Sequence, residues 1–272
     1  MTTSTLSSRA GEVVTGNVRG VAAGVSRELR ELRRSPDQLM ALVTAPLLTL
    51  VFLAIMLHAN RHDLAPYAVL APALLVLWQM ALQTSGDTVE SERENGSLEA
   101  LVATPSPLPA VIGGRIAAVT VVSMLGFGES WLVAGLVFGV WVQVFHPAAM
   151  VAIVLVTGYA TACSALVLSA LFVTTRSART LQNVLTYPFY ILGGVIVPVA
   201  LLPMWIQPLS RLVFLSWSSD LMRDALTPAP IEAMWGRLGM VALLGTVALV
   251  VGHLLVKRAL DRSRRMGSIG HV

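Results

Sequence analysis

Long apolar runs separated by short polar segments dominate the chain. Six of these runs contain about 19 or more largely apolar residues, enough to cross a hydrocarbon layer about 30 Å thick as a helix that rises 1.5 Å per residue. The runs lack the two-residue alternation of transmembrane strands, so helices are expected rather than a barrel. The predicted transmembrane helices are 39–57, 67–86, 116–141, 148–174, 181–199 and 238–256.

The segments outside these runs have patterns of their own. Residues 17–34, within the polar N-terminal segment 1–38, place apolar side chains on one helical face and arginines on the other. This pattern predicts an amphipathic helix at the membrane surface. Residues 200–237 are too polar and proline-rich to span, and their tryptophans predict short interfacial or re-entrant helices on the outer side. Residues 257–272 form a basic tail.

Composition and charge placement refine this picture. The chain is 55% hydrophobic and only 12% charged, whereas a soluble domain has about 25% charged residues. A net charge of +4 could suggest a nucleic-acid partner, but the arginines lie at the ends of the apolar runs, so none is expected. Fifteen of the 19 Lys and Arg residues fall on one side of the predicted spans. The sequence therefore predicts an all-α integral protein of the cell membrane with both termini in the cytoplasm.

The segment 90–109 between the second and third predicted spans is too polar to lie in lipid. Ser97 can cap a helix start by accepting a free backbone N–H. Leu98 and Leu101 fall on one face of that helix, and Pro105 ends it. The pattern predicts a short amphipathic helix on the cytoplasmic side that docks a soluble partner. A solvated loop whose charges only keep it out of lipid fits the composition equally well.

Residues 92–105 read E-R-E-N-G-S-L-E-A-L-V-A-T-P. They resemble the conserved loop of ABC type-2 exporter permeases, E-R-E-x-G-[ST]-L-E-x-L-x-x-[ST]-P, at each fixed position. A looser resemblance to the same family follows in and after the fifth span, where the matching residues are Pro188, Leu192-Gly193-Gly194, Pro198, Leu202-Pro203 and Leu221-Met222-Arg223.

The resemblance implies that a coupling helix in this loop docks on a separate ATPase subunit. It also implies two such ATPases, which bind ATP and magnesium, and a second permease that is a copy or a paralogue. Residues 17–34 would be the connecting helix, which also touches the ATPase. The residues implied to contact the ATPase or shape that contact are Glu92, Arg93, Glu94, Gly96, Ser97, Leu98, Glu99, Leu101, Thr104 and Pro105.

No catalytic, cofactor or metal site of its own is expected in this chain. A P-loop requires a Gly-Lys pair before Ser or Thr, and the sole lysine, Lys257, lies in H-L-L-V-K-R. The histidines show no metal-ligand spacing. Glu129 is the one acidic residue well inside a predicted span. An ionisable group in lipid is a functional candidate: it could line a substrate path, pair with a cation or cap a helix break, or it could be a hydrogen-bonded structural acid.

The sequence therefore predicts the membrane-spanning subunit of an ABC exporter for an amphipathic substrate, such as a drug or antibiotic, a lipid or a glycoconjugate. An ATP-independent secondary transporter or channel is one alternative, although such proteins usually place several ionisable residues at mid-membrane. A membrane scaffold or receptor subunit without transport is the other. It would use the same docking loop to recruit a partner.

Overall fold

A computed structural model describes residues 3–34, 36–94, 108–174 and 178–266. Helices make up most of these ranges, which contain no strand. The helices are α1 (Thr3–Arg34), α2 (Pro36–His58), α3 (Ala65–Glu94), α4 (Leu108–Ser123), α5 (Leu125–Phe138), α6 (Pro147–Thr174), α7 (Ala178–Leu192), α8 (Gln207–Ser210), α9 (Phe214–Ala225) and α10 (Met234–Met266), with short 3₁₀ turns at His62–Leu64 and Val199–Leu201.

Four stretches of the described residues are long and apolar enough to cross a membrane, and a shorter apolar helix covers Leu42–His58. This all-helical architecture confirms the predicted fold class at the level of an integral membrane protein. The four stretches are Ala65–Asp87, Ala110–Phe138, Pro147–Phe172 and Met234–Arg258.

Two of the predicted spans differ from the helices observed. The third is interrupted at Met124, where α4 gives way to α5. The fifth is a helix of only 15 residues that ends at Leu192, whereas the prediction continued to 199. The physical reason is the pair Gly193-Gly194: Gly194 has φ of +64°, a conformation that glycine adopts without steric cost, so it turns the chain. The apolar composition beyond Leu192 concealed this helix end.

Helix α3 lies at the centre of the bundle and packs against α2, α4, α5, α6 and α7. Its Trp78 is fully buried. The ring stacks on Phe189 of α7 at a centroid distance of 4.4 Å and lies 6.0 Å from the ring of Phe214 in α9. Aromatic pairs at these distances stabilise a core beyond the area they bury. Trp78 therefore packs the central helix α3 against α7 and α9.

Residues of the looser family resemblance, among them Gly193, Gly194 and Arg223, lie in contact where α9 meets the end of α7. The Ser219 hydroxyl donates to the carbonyl of Gly193 at 2.9 Å. Arg223 donates to the carbonyl of Gly194 and, at 3.3 Å, to the carboxylate of Asp220. The last carbonyls of a helix have no partner within the helix. Side chains of α9 therefore supply the partners that the glycine turn requires.

Candidate functional site

The structure covers only part of the predicted docking segment. Glu92, Arg93 and Glu94 form the last residues of α3. The remaining predicted docking residues lie outside the described residues, so their role stays a prediction: Gly96, Ser97, Leu98, Glu99, Leu101, Thr104 and Pro105. The described helices that border this segment are α3 before it and α4 after it. Any force applied to the segment would reach the bundle through these two helices.

Helix α1 is locked to the beginning of α4 by a buried ion-pair cluster. Arg115 Nε lies 2.6 Å from Glu28 Oε2, and Arg115 Nη2 lies 2.8 Å from Glu31 Oε2. The Arg115 and Glu28 side chains are 3% and 0% exposed. Two glutamates three positions apart share one helical face, so a single guanidinium can bind both with separate N–H groups.

The backbones of α1 and α4 touch where the two helices cross. A Cβ built on Gly24 would overlap the carbonyl oxygen of Val111, and a Cβ built on Gly114 would overlap the carbonyl oxygen of Val21. Each glycine therefore faces backbone of the other helix, where no larger residue fits without displacing the helix. We refer to Gly24, Glu28, Glu31, Gly114 and Arg115 as the α1–α4 junction.

The electrostatics of the junction depend on Arg115. Burial raises the pKa of the Glu28 carboxyl, and the charge and hydrogen bond of Arg115 oppose that rise. Glu28 Oε1 and Arg115 Nη1 are buried with no hydrogen-bond partner among the described residues. Leu32 extends the contact of α1 into a small apolar cluster formed with Ala45, Val76, Met80 and Val119. Helix α1 therefore packs mainly against α4, with a smaller contact to α2.

The sequence interpretation missed this junction because Arg115 lies directly before the predicted span 116–141, where it was counted only among the fifteen positive charges that orient the chain. The partners are 87 and 84 residues apart in the chain, so no local pattern joins them. One signal was available. Glu28 and Glu31 are the only acids among the arginines of 17–34, and they share a face on which a surface helix would be expected to be apolar.

A groove of about 490 Å³ lies between α2, α3 and α7. The α3 and α7 residues that line it are largely polar, and none of its described lining residues is acidic or basic. The apolar lining comes from Met40, Leu48, Leu75 and Val76, and the polar lining from Thr44, Gln79, Gln83, Asn183, Thr186, Tyr187 and Tyr190. The lining residues come from the first half and centre of α2, from the middle of α3, and from the middle and last turns of α7.

A stripe of hydrogen bonds joins α7 to α3 beside this groove. Gln182, Thr186 and Tyr190 are four residues apart and therefore share one face of α7. The Gln182 amide donates to the carbonyls of Leu82 and Gln83 at 3.2 and 3.0 Å, and the Tyr190 hydroxyl donates to the carbonyl of Leu75 at 3.1 Å.

Glycine at position 86 makes room for the Gln182 contact, since a Cβ there would overlap the Gln182 side chain. The spacing of the α7 stripe was visible in the sequence, but the sequence interpretation did not single out Gln182, Thr186 and Tyr190. It therefore overlooked the groove.

Glu129 does not belong to the groove. It lies in α5, and its Oε2 atom is buried with no hydrogen-bond partner among the described residues. Among the described residues, no side-chain hydrogen bond caps the start of α5 at Met124. A path-lining or cation-pairing role for Glu129 remains a prediction.

Comparison with known proteins bears on all of these features. Residues 20–227 match the model of the ABC-2 type transporter family, a range that includes the groove, the docking segment and the junction. The similar curated proteins include Nodulation protein J of Rhizobium leguminosarum bv. viciae, 28% identical over 152 residues, covering 56% of this chain and 58% of that protein. Nodulation protein J of Rhizobium meliloti (strain 1021) is 25% identical over 169 residues, covering 62% and 63%.

Nodulation protein J of Neorhizobium galegae is 27% identical over 171 residues, which cover 62% of this chain and 64% of that protein. The chain thus spans about three fifths of the length of these relatives. The family match extends over well more than half of the chain. The resemblance found in the sequence is therefore confirmed, and the chain belongs to the ABC-2 type transporter family.

Proposed function

We propose that this chain is the membrane-spanning permease subunit of an ABC exporter that carries an amphipathic substrate and is driven by a separate ATPase. The match to the ABC-2 type transporter family over residues 20–227 carries this proposal. The sequence contains no P-loop, which supports an ATP-binding function on a partner. Drug-like molecules, lipids and glycoconjugates are the substrate classes considered.

The proposed assembly contains two permeases, either identical or paralogous, and two ATPase subunits that bind ATP and magnesium. Six spans place both termini in the cytoplasm, with α2 as the first span and α7 with the turn after it as the fifth. Residues 200–237 then face the outer leaflet, where exposed Trp205 and Trp235 suit the membrane interface. The excess of arginine on the cytoplasmic side supports this orientation.

In this mechanism the segment between α3 and α4 docks on the ATPase. Movement of the ATPase reaches α3 and α4 directly through the chain. It reaches α1 through the α1–α4 junction, where touching backbones and the Arg115 ion pairs resist sliding. Helices α1 and α4 therefore move together, and the groove beside α2, α3 and α7 changes shape when α3 moves.

The test is co-expression with candidate ATPases, followed by co-purification and by ATP-dependent efflux in membrane vesicles. The double variant Gly96→Pro with Leu98→Asp is expected to reduce ATPase recovery by about tenfold or more, because it changes the turn before the Ser97 cap and puts a charge into the apolar stripe of the predicted docking helix. Leu201→Asp, at a residue that is 75% exposed near the opposite end of the bundle, serves as the control and should bind the ATPase normally.

The outcomes separate the alternatives. Transport that continues without ATP and follows an ion gradient would identify a secondary transporter. ATPase binding with no substrate movement would identify a scaffold. Equal ATPase recovery by the docking variant and the control would contradict the docking role of 92–105.

Glu129 is tested by replacement with glutamine, which keeps the shape of the side chain and removes its charge. If the carboxylate lines the path or pairs with a cation, Glu129→Gln should change the export rate by about tenfold, since hydrogen bonds to charged groups contribute about 1.5–3 kcal/mol. The amount of protein in the membrane should stay the same. Unchanged export would make Glu129 a structural acid.

A further inference from the structure

We propose that the groove between α2, α3 and α7 binds the uncharged, hydroxyl- or amide-bearing head of an amphipathic molecule. This inference rests on the proposed transport function, whose substrate class it narrows. The groove volume of about 490 Å³ falls within the range of roughly 300–1,000 Å³ that is usual for small-molecule sites.

The charge pattern of the groove argues for a neutral head. Its polar side chains are amides, hydroxyls and phenols, and its described lining residues include no carboxylate, guanidinium or ammonium group. A charged head that entered the groove would lose hydration without gaining an opposite charge, which is costly in a membrane-embedded site. A neutral head would exchange its hydrogen bonds with water for bonds to the amides and hydroxyls.

Hydrogen-bond counting at Gln79 shows which group this residue offers to a ligand. Gln79 Oε1 lies 3.0 Å from the Tyr190 hydroxyl and 3.4 Å from the Thr186 hydroxyl. Each hydroxyl has a single hydrogen. The Tyr190 hydrogen has the carbonyl of Leu75 as an acceptor at 3.1 Å, and the Thr186 hydrogen has the carbonyl of Gln182 at 2.8 Å.

The network is complete when the Gln79 amide is turned so that its NH₂ group faces both hydroxyl oxygens. The two amide hydrogens then have two acceptors, and each hydroxyl both donates and accepts. This orientation leaves the Gln79 carbonyl oxygen as an acceptor with no partner among the described residues, at a position that lines the groove. Gln79 is therefore held in place by α7 while its acceptor remains available for a ligand.

Three further polar side chains of the groove have no hydrogen bond to a described residue: Gln83, Asn183 and Tyr187. Gln83 and Asn183 are exposed, and Tyr187 is 69% exposed. Amides offer both donors and acceptors, and a phenol does the same. Such a mixture matches a head with several hydroxyl or amide groups, which also donate and accept. The aliphatic side chains on the α2 side of the groove would contact the apolar part of the molecule.

The experiment uses the full-length protein in phosphatidylcholine nanodiscs and three photoreactive probes. Each probe has the same alkyl chain with the same diazirine, and the heads are glucosyl, trimethylammonium and phosphate. Crosslinked residues are located by mass spectrometry. The glucosyl probe is expected to label the groove at least about tenfold more than either charged probe, since one to two hydrogen bonds correspond to about 1.4 kcal/mol.

Two variants and one control make the result specific. Asn183→Leu, at an exposed position where folding is not at risk, and Gln79→Leu should reduce glucosyl labelling of the groove to the level of the charged probes. Thr246→Val removes a hydroxyl on α10, bonded to Tyr159 at 3.1 Å and absent from the groove lining, and should leave labelling unchanged. Thermal denaturation of each variant confirms that it is folded.

Several results would overturn the proposal. Equal labelling by the three probes would show that the groove does not select for the head, and preferred labelling by a charged probe would reverse the inference. Absence of groove labelling by all three probes would show that the groove is not a binding site for such heads. Because the measurement requires no ATPase, its failure is distinct from a failure of ATP-driven transport.

Discussion

Replacing Arg115 with methionine is expected to destabilise the protein by about 3–5 kcal/mol, because removing one partner of a buried ion pair leaves the other charge uncompensated. Glu28 is fully buried and bonds Arg115 at 2.6 Å. Glu31 is 34% exposed on its side chain and can be hydrated instead. The loss should therefore come mainly from Glu28. Thermal denaturation of the purified protein in detergent measures the effect, and Arg33→Met, at an exposed position on the same helix, is the control.

The pH dependence of the variant tests the cause. Burial already raises the pKa of Glu28 above the ordinary value of 4.5, and Arg115 is the main group that lowers it. Without Arg115 the folded-state pKa rises further, so the folded protein holds a proton that the unfolded chain releases. The destabilisation should therefore be small near pH 4.5 and should increase as the pH rises toward the new folded-state pKa.

A second substitution should rescue the variant. Replacing a whole buried ion pair by apolar residues of similar volume is often neutral, so adding Glu28→Leu to Arg115→Met is expected to restore most of the lost stability and to remove its pH dependence. A double variant as unstable as Arg115→Met alone would show that the loss comes from packing and not from the unpaired carboxylate.

Features set by local composition could be predicted from the sequence. The long apolar helices α3, α6 and α10 appear where the runs of apolar residues predicted them, because hydropathy over about 20 residues is a local property. Helix α1 ends at Arg34, where the predicted helix 17–34 ends, but it begins at Thr3 and is therefore much longer than predicted. The stop at Leu192 does not, since apolar composition continues past a turn that depends on the backbone freedom of Gly194.

Features set by contacts between distant residues could not be predicted in the same way. In the sequence, Arg115 is one of the positive charges that orient the chain in the membrane. Only the packing of α1 against α4 shows that it forms ion pairs with Glu28 and Glu31. The groove depends on bringing Gln79 opposite Thr186 and Tyr190, which are 107 and 111 residues away. No local pattern in the sequence joins residues that are this far apart.

Replacing Gly114 with valine is expected to uncouple ATP hydrolysis from transport. A side chain there would overlap the Val21 carbonyl oxygen of α1, and a backbone atom cannot turn away as a flexible side chain can. Helix α1 must therefore move, which would strain the 2.6 Å contact between Arg115 and Glu28. Overpacking of this kind costs about 1–3 kcal/mol. The number of substrate molecules exported per ATP hydrolysed by the complex should fall by about tenfold. A tenfold change corresponds to about 1.4 kcal/mol, which lies within the cost of this overpacking.

Gly113 provides the matched control for this prediction. It is the adjacent residue on α4, and a Cβ built on it would meet no atom within 4 Å. Gly113→Val therefore has the same cost in helix propensity but leaves the crossing of α1 and α4 intact. Gly24→Val should reproduce the Gly114→Val defect from the other helix, since its Cβ would overlap the Val111 carbonyl oxygen, whereas Gly16→Val meets open space. If Gly113→Val and Gly114→Val reduced the number of substrate molecules exported per ATP equally, the close contact between α1 and α4 would not be required for transport.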